Sequence, residues 1–449
     1  MALRLLNRGA GRRDRLDAMG HDAEWTLGRD GRRAAAGPVL RAMPALERRL
    51  QDLPCPMALT WPGGQAGAAQ AALRLTLQRR SLLLALLHGR IGDLAEAHVR
   101  GELDIQGPMR ELMAVAGALV GDPVAQGAQP AWQRGLAALR SRWRHRPRRD
   151  ANQVRAHYDL SDDFFALWLD ARRVYSCAYY ATPGMSLEEA QEAKLDLICR
   201  KLQLAPGQRF LDIGAGWGGL LLWAAQHYGV QALGITLSRH QHAHVGRLIE
   251  QAGLAGRVRV QLLDYRALAG EARFDRIASV GMFEHVGRAN LAAYFRHLHR
   301  LLRPGGLLLN HGIAAGGLDN GALGAGMGDF IDRHIFPGGE LVHVAQAVHA
   351  LARGGLELLD AENLRPHYAR TLWAWSDRLE VQLAAARTLT SEATLRAWRL
   401  YLAGSALCFE RGWLGLYQLL ATRSDLSAGG NPAWPTLSDY PFTRAHLLR

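Results

Sequence analysis

Between residues 202 and 313 short apolar runs alternate with helical periods, and this alternation constrains the 449-residue chain more than any other feature. Arg209 to Gly214, Val230 to Thr236, Val258 to Asp264, Arg276 to Met282 and Leu307 to Ile313 read as strands buried on both faces. Leu220 to Tyr228 and Asn290 to Leu302 carry a helical apolar period between them. Repetition of this kind builds a mostly parallel sheet with helices on both faces, because each parallel return needs a crossover. Leu356 to Asp360 and Leu414 to Ala421 supply two further strands. Arg303-Pro-Gly-Gly306 reads as a helix stop and a turn into the strand that follows.

The first of these strands runs into Leu211-Asp-Ile-Gly-Ala-Gly-Trp-Gly-Gly219, a turn that lets backbone approach a ligand closely. A dinucleotide fingerprint spaces its third glycine three positions after the second; here Gly214, Gly216, Gly218 and Gly219 sit closer together, and an acid, Asp212, precedes them. An acid repels a pyrophosphate and suits a cationic, amino-acid-bearing ligand. The loop resembles motif I of the class I S-adenosylmethionine methyltransferases, and the fold expected is that Rossmann-like one. A tight turn with no ligand is the bland alternative for the glycines alone.

In doubly wound folds the ligand lies across the carboxyl ends of the strands. The second strand ends near Thr236, Ser238 and Gln241, which suit a ribose, although Ser238 equally caps the next helix. The third ends in Asp264 and Tyr265, a carboxylate for an adenine amino group and a ring to stack beside it. The fourth ends in Phe283-Glu284-His285 and the fifth in Asn310-His311.

Composition narrows the partner. Lys plus Arg number 54 against 41 Asp plus Glu, a formal charge of +13, and 49% of residues are hydrophobic, so wholesale disorder is excluded. Such an excess points to nucleic acid or to an anionic membrane face. No run reaches the roughly 18 apolar residues of a membrane span, and arginines interrupt the opening stretch where a signal peptide would be apolar. Cys55, Cys177, Cys199 and Cys408 are scattered, which indicates neither a disulfide framework nor a cysteine zinc site and suits a reducing cytoplasm. His240 and His244 share a helix face without a third ligand, so no metal is expected.

The domain reading is a mainly helical N-terminal part over 1–139, with apolar helical stretches around Ala71 to Leu87. A basic linker over 140–150, a catalytic domain over 151–424 and a tail over 425–449 follow. The linker holds Trp143 amid Arg140-Ser-Arg-Trp-Arg-His-Arg-Pro-Arg-Arg149, a solvated run or a strip for a polyanion.

Enzymes that methylate exocyclic amines of DNA bases usually carry an Asn or Asp-Pro-Pro-aromatic tetrad after the fourth strand. Here that place holds Gly281-Met-Phe-Glu-His-Val-Gly287. The only Pro-Cys pair, Pro54-Cys55, lies outside the domain, so a cytosine-C5 thiolate is missing too. Nucleic acid is therefore not expected as the partner. Glu284 and His311 instead offer an acid/base pair on adjacent strand ends, although for either alone a structural hydrogen bond is the commoner role.

Several separated stretches carry a family resemblance: Val154 to Phe165 with His157, Tyr158 and Asp159; Val174-Tyr175-Ser176-Cys177-Ala178-Tyr179; Leu211 to Gly219; and Ser279 to Gly287. His311-Gly-Ile313, Phe330 to Gly339 and Tyr368 to Trp375 complete the set. Together they resemble the cyclopropane-fatty-acyl-phospholipid synthases and the mycolic acid cyclopropane synthases, over about residues 150 to 424. The resemblance implies transfer from S-adenosylmethionine to the cis double bond of a phospholipid acyl chain, through a carbocation deprotonated by bound bicarbonate. It places the bicarbonate at Glu284, His311 and Tyr368 with backbone amides near Cys177 and Ile313, and the methionine part of the cofactor at Tyr175 and Ser176. Peripheral attachment to the inner membrane face is expected from charge and analogy, and a homodimer from the family alone.

Phe164, Phe165, Tyr179 and Tyr180 suit either a lipid tunnel or the core, and Gly312 to Gly328 either a mobile lid or a slack insertion. Ala215 replaces the cysteine common in the family's glycine loop. Two alternatives stand beside ring formation: a methyl or methylene branch, and a catalytically silent membrane-binding protein with the same fold.

Overall fold

The computed structural model describes residues 38–126, 160–318, 323–424, 438–441 and 443–447, the side chains of 38–43, 45 and 126 excepted. The chain divides into a short unit, residues 1–42, and a compact body, residues 43–449. The basic run 140–149 and His157, Tyr158 and Asp159 lie outside the described residues.

The body opens with a small sheet of β1 (Met57–Trp61), β2 (Gly64–Gly67), β3 (Leu73–Leu77) and β4 (Leu103–Gln106), in the order β2-β1-β3-β4. Only β1 and β3 run parallel. Helices Leu82–Leu87, Ile91–Val99 and Met109–Val120 accompany it. The helical reading of Ala71 to Leu87 is thus half corrected. Leu73, Leu75 and Leu77 are buried while Arg74 is exposed, a period of two that the density of leucines masked. The mainly helical N-terminal part is built on a sheet that its sequence did not announce.

The main sheet has seven strands in the order β10-β11-β9-β8-β5-β6-β7. They are β5 (Arg209–Ile213), β6 (Gln231–Thr236), β7 (Val258–Leu262), β8 (Phe274–Val280), β9 (Leu302–Ala315), β10 (Glu357–Asn363) and β11 (Leu414–Thr422). The pairs from β7 through β6, β5 and β8 to β9 are parallel, and β11 runs antiparallel to both of its neighbours. The seven expected strands all form. Each of the five central strands sends neighbouring residues to opposite cores: Leu307 and Leu309 pack with Leu221 and Phe210, Leu308 with Ile277 and Phe295. Helix Leu291–Leu301 buries Leu291, Tyr294, Phe295, Leu298 and Leu301, an i, i+3, i+4, i+7 stripe against one face.

Arg303-Pro-Gly-Gly306 differs from expectation. The helix stops at Leu301, but Phe274 pairs with Leu302 and Arg276 with Leu307, so the extra residues bulge out of a strand already begun. Strand order reverses about β5, whose chain neighbours β6 and β7 go one way while β8 and β9 go the other. The crevice outside the ends of β5 and β8 is where such a sheet holds a ligand.

The N-terminal helices brace the far side of this crevice. Glu96 of Ile91–Val99 accepts from Arg333 at 2.9 Å and from His334 at 2.8 Å on helix Met327–His334, and Gly92 donates its N–H to Ala325 O. Among the described residues no helix is long and apolar enough to cross a membrane.

Candidate active site

Two cavities adjoin at the strand ends, sharing Tyr175, Ser176, Gly281 and His285 in their walls. The first, the cleft, is lined by Asp212, Gly214 and Gly216 after β5, Thr236 and Gln241 after β6, Asp264 and Tyr265 after β7, and Lys194 from helix Leu187–Lys201. Gly214 and Gly216 take φ of +79° and +56°, a region that penalises any side chain. Asp212 is buried, and burial pushes its carboxyl up to about 7 against the pull of the Lys194 charge. The same burial draws the Lys194 ammonium down to about 8, resisted by Asp170, Cys177 and Asp212. Lys194 Nζ donates to Ser176 Oγ at 2.8 Å. Thr236 Oγ1 donates to Gln241 Oε1 at 2.8 Å, and Arg266 grips Asp264 at 2.6 Å.

Two residues expected at the cofactor do not line this cleft. Ser238 accepts from Gln241 N at 3.3 Å and caps helix Arg239–Gln251, the capping alternative. Gly218 (φ +88°) is the left-handed residue before helix Gly219–Tyr228, where a Cβ would press on Val245.

The second cavity, the chamber, spans about 1340 Å³ with its open mouth. Its wall is largely apolar: Ile313, Leu323, Ile331, Phe336, Leu341, Leu372, Phe409, Trp413 and Leu416. Cys177, Glu284, His311, Ile313 and Tyr368, the residues grouped from sequence, all line it. Tyr368 comes from helix Arg365–Val381 and is buried with its ring 4.7 Å from that of Phe409. Gly312 makes room for this corner, since a Cβ there would fall 2.0 Å from the Phe283 ring.

Glu284 Oε1 accepts from Ile313 N at 2.7 Å, so that amide turns to the carboxyl and not to the open chamber, a departure from expectation. Glu284 Oε2 and His311 Nε2 are buried with no hydrogen-bond partner. Burial pushes the Glu284 carboxyl up to about 7 and holds the His311 imidazole well below its ordinary range, so the ring is neutral. Burial raises the Cys177 thiol far above its ordinary value, which disfavours a thiolate.

The aromatic residues divide. Phe164 and Phe165 are fully buried among Trp168, Tyr175 and Trp398, hence core and not tunnel. Tyr179 and Tyr180 stack on His367 outside both cavities. The expected lid begins inside β9, which runs to Ala315, while Leu323 and Gly328 line the chamber and 319–322 lie outside the described residues. Among the described residues no cluster suits a metal. Sequence reasoning passed over Lys194, Lys201 and Gln418. Their signal was the interruption of buried apolar patterns by a polar residue.

Comparison with known proteins decides the family. A family model described as mycolic acid cyclopropane synthetase matches residues 145–419. The chain belongs to that family. It is 42% identical over 406 residues to a probable fatty acid methyltransferase of Pseudomonas putida, a match covering 89% of this chain and 98% of that protein. Cyclopropane mycolic acid synthase 1 of Mycobacterium tuberculosis is 38% identical over 273 residues, covering 59% of this chain and 94% of its own. The crystal structure of mycolic acid cyclopropane synthase CmaA1 with SAH and CTAB superposes with a TM-score of 0.57 at 36% identity, over 61% of this chain and 98% of that one. The fold is that of the class I methyltransferases, and this family member is an S-adenosylmethionine-dependent methyltransferase.

Proposed function

We propose that the enzyme acts on the cis double bond of an unsaturated phospholipid acyl chain and closes a cyclopropane ring. The observation that carries this reading is the joining of a polar cleft to an apolar chamber through Tyr175, Ser176, Gly281 and His285, with unpaired Glu284 and His311 atoms on the chamber side. S-adenosylmethionine supplies an electrophilic sulfonium methyl when bound. Asp212 offers its carboxylate to the ligand's cationic amino group, and Tyr175 and Ser176 line the passage toward the methyl. An alkene is a weak nucleophile, so the chamber works by holding it in line and dry. Ile313, Leu372, Phe409 and Leu416 exclude water from the carbocation left when the alkene takes the methyl.

Loss of a proton completes the ring, and it is taken beside Glu284. The residues there fit bicarbonate: the orphaned Glu284 Oε2 and His311 Nε2 and the neighbouring Tyr368 would hold it, where it would supply a base. The Glu284 carboxyl, poised near neutral pH, can share the proton that such an anion next to a carboxylate requires. The +13 charge supports docking at an anionic membrane face from the cytoplasmic side.

A second reading, a methyl or methylene branch, is favoured by the Pseudomonas putida relative's name. The silent-protein alternative has nothing in its favour at a site this complete. Purified enzyme given labelled S-adenosylmethionine and unsaturated phospholipid vesicles separates these readings by the mass and retention time of the acyl chains. A product one methylene heavier that resists hydrogenation supports the ring, a hydrogenatable or saturated branch the second reading, and unlabelled lipid overturns both.

A further inference from the structure

His311 is held from behind as well as facing the chamber. Lys201, at the end of helix Leu187–Lys201, is 1% exposed. Its Nζ donates to Gln418 Oε1 at 2.7 Å and pairs closely with the carboxylate of Glu362. An ammonium has only donors, so the Gln418 atom facing it is the oxygen. The other end of that amide, Nε2, then lies 3.2 Å from His311 Nδ1. An NH2 group only donates, so Nδ1 must accept and is bare. A neutral imidazole with Nδ1 bare carries its single proton on Nε2, the buried atom that has no partner. Gln418, His311 and Lys201 are each about 1% exposed, so water does not compete with this chain.

We propose that Lys201 and Gln418 are positioning residues that lock His311 in its Nε2–H form, so the chamber presents a donor to an oxyanion held beside Glu284. Neither lines the chamber; both act through the imidazole. Without the lysine the amide is free to turn over, accept from Nδ1–H and leave a bare nitrogen facing that oxyanion. The use of the donor rests on the reading of His311 given above; the tautomer does not.

The test is a two-bond 15N–1H correlation spectrum of the full chain labelled at histidine, with His311 assigned by the resonances missing from His311→Gln. The wild-type enzyme is expected to show a protonated Nε2 and a bare Nδ1. Gln418→Glu places a carboxylate against Nδ1 and is expected to move the proton there, with turnover falling at least about tenfold and S-adenosylhomocysteine affinity unchanged. Lys201→Met is expected to give a mixture of the two forms. A wild-type Nδ1–H, or a Gln418→Glu spectrum still showing Nε2–H, overturns the proposal, and the wild-type spectrum decides even if neither variant folds. Inversion of the tautomer together with full turnover in His311→Gln would leave the lock standing and remove the oxyanion reading instead.

Discussion

The cleft and the chamber sit on one sheet rim, yet they manage polar groups in opposite ways. In the cleft most polar side chains satisfy one another, Thr236 with Gln241, Asp264 with Arg266 and Ser176 with Lys194, while Asp212 meets only the Lys194 charge. In the chamber Glu284 Oε2 and His311 Nε2 are buried with nothing to bond. An unpaired buried polar atom costs about 1–3 kcal/mol, so a corner with two of them persists only because something in the fold forces it. The forces are visible. Ile313 N fixes one oxygen of Glu284, and Gln418 fixes the far nitrogen of His311. The cleft is thus a preformed socket, and the chamber corner is a demand for a ligand.

The largest effect that sharpens this contrast is expected from Glu284→Gln, which keeps the shape and removes the proton-sharing carboxyl. Turnover should fall by about 10²–10⁴ with cofactor affinity nearly unchanged in calorimetry. Equal loss of both would erase the division of labour. Next comes Phe165→Ala. Its ring packs 5.0 Å from that of Trp217 on the cleft side and 5.8 Å from that of Tyr175 on the shared wall. Its removal should lower stability by about 3–5 kcal/mol in denaturant melts, without changing which acyl chain lengths are modified. A clean change of chain-length preference at full stability would return Phe165 to the tunnel. Asp212→Asn, smaller again, should weaken cofactor binding about 10- to 100-fold and spare the chamber.

How far the sequence led follows the same contrast. The cleft was legible because its parts sit next to strand ends: an acid before a glycine turn, a hydroxyl and an amide after β6, a carboxylate and a ring after β7. Even there, Gly218 and Ser238 turned out to serve turn and cap, because one residue type suits both a ligand and a helix start. The chamber residues were grouped by family resemblance. Nothing in local pattern brings Tyr368, on a helix far along the chain, to Glu284. Gln418 and Lys201 stayed hidden because each lies in an apolar period, where one polar residue reads as tolerated noise. Yet a lone amide in a strand buried as Leu414–Thr422 is, and a lysine on the buried face of Leu187–Lys201, both demand partners. The small N-terminal sheet was missed because leucine density concealed a period of two.

The effect that is smallest per step, about 1.4 kcal/mol for each pH unit, isolates the chamber. Burial lifts Glu284 to about 7 from an ordinary value near 4.5, so the folded protein holds a proton that the unfolded chain has released. Stability from this group is complete below about pH 4.5, falls by roughly 1.4 kcal/mol per unit through the interval, and is gone above about pH 7. Asp212 titrates over a similar range, so the wild-type curve alone mixes cleft with chamber. The difference between wild type and Glu284→Gln removes the cleft. Denaturant midpoints taken from pH 5 to 8 should show the variant gaining on the wild type as pH rises, and the gain should level off above about pH 7. A flat difference would mean that Glu284 is solvated or already paired, and the chamber corner would then be as satisfied as the cleft.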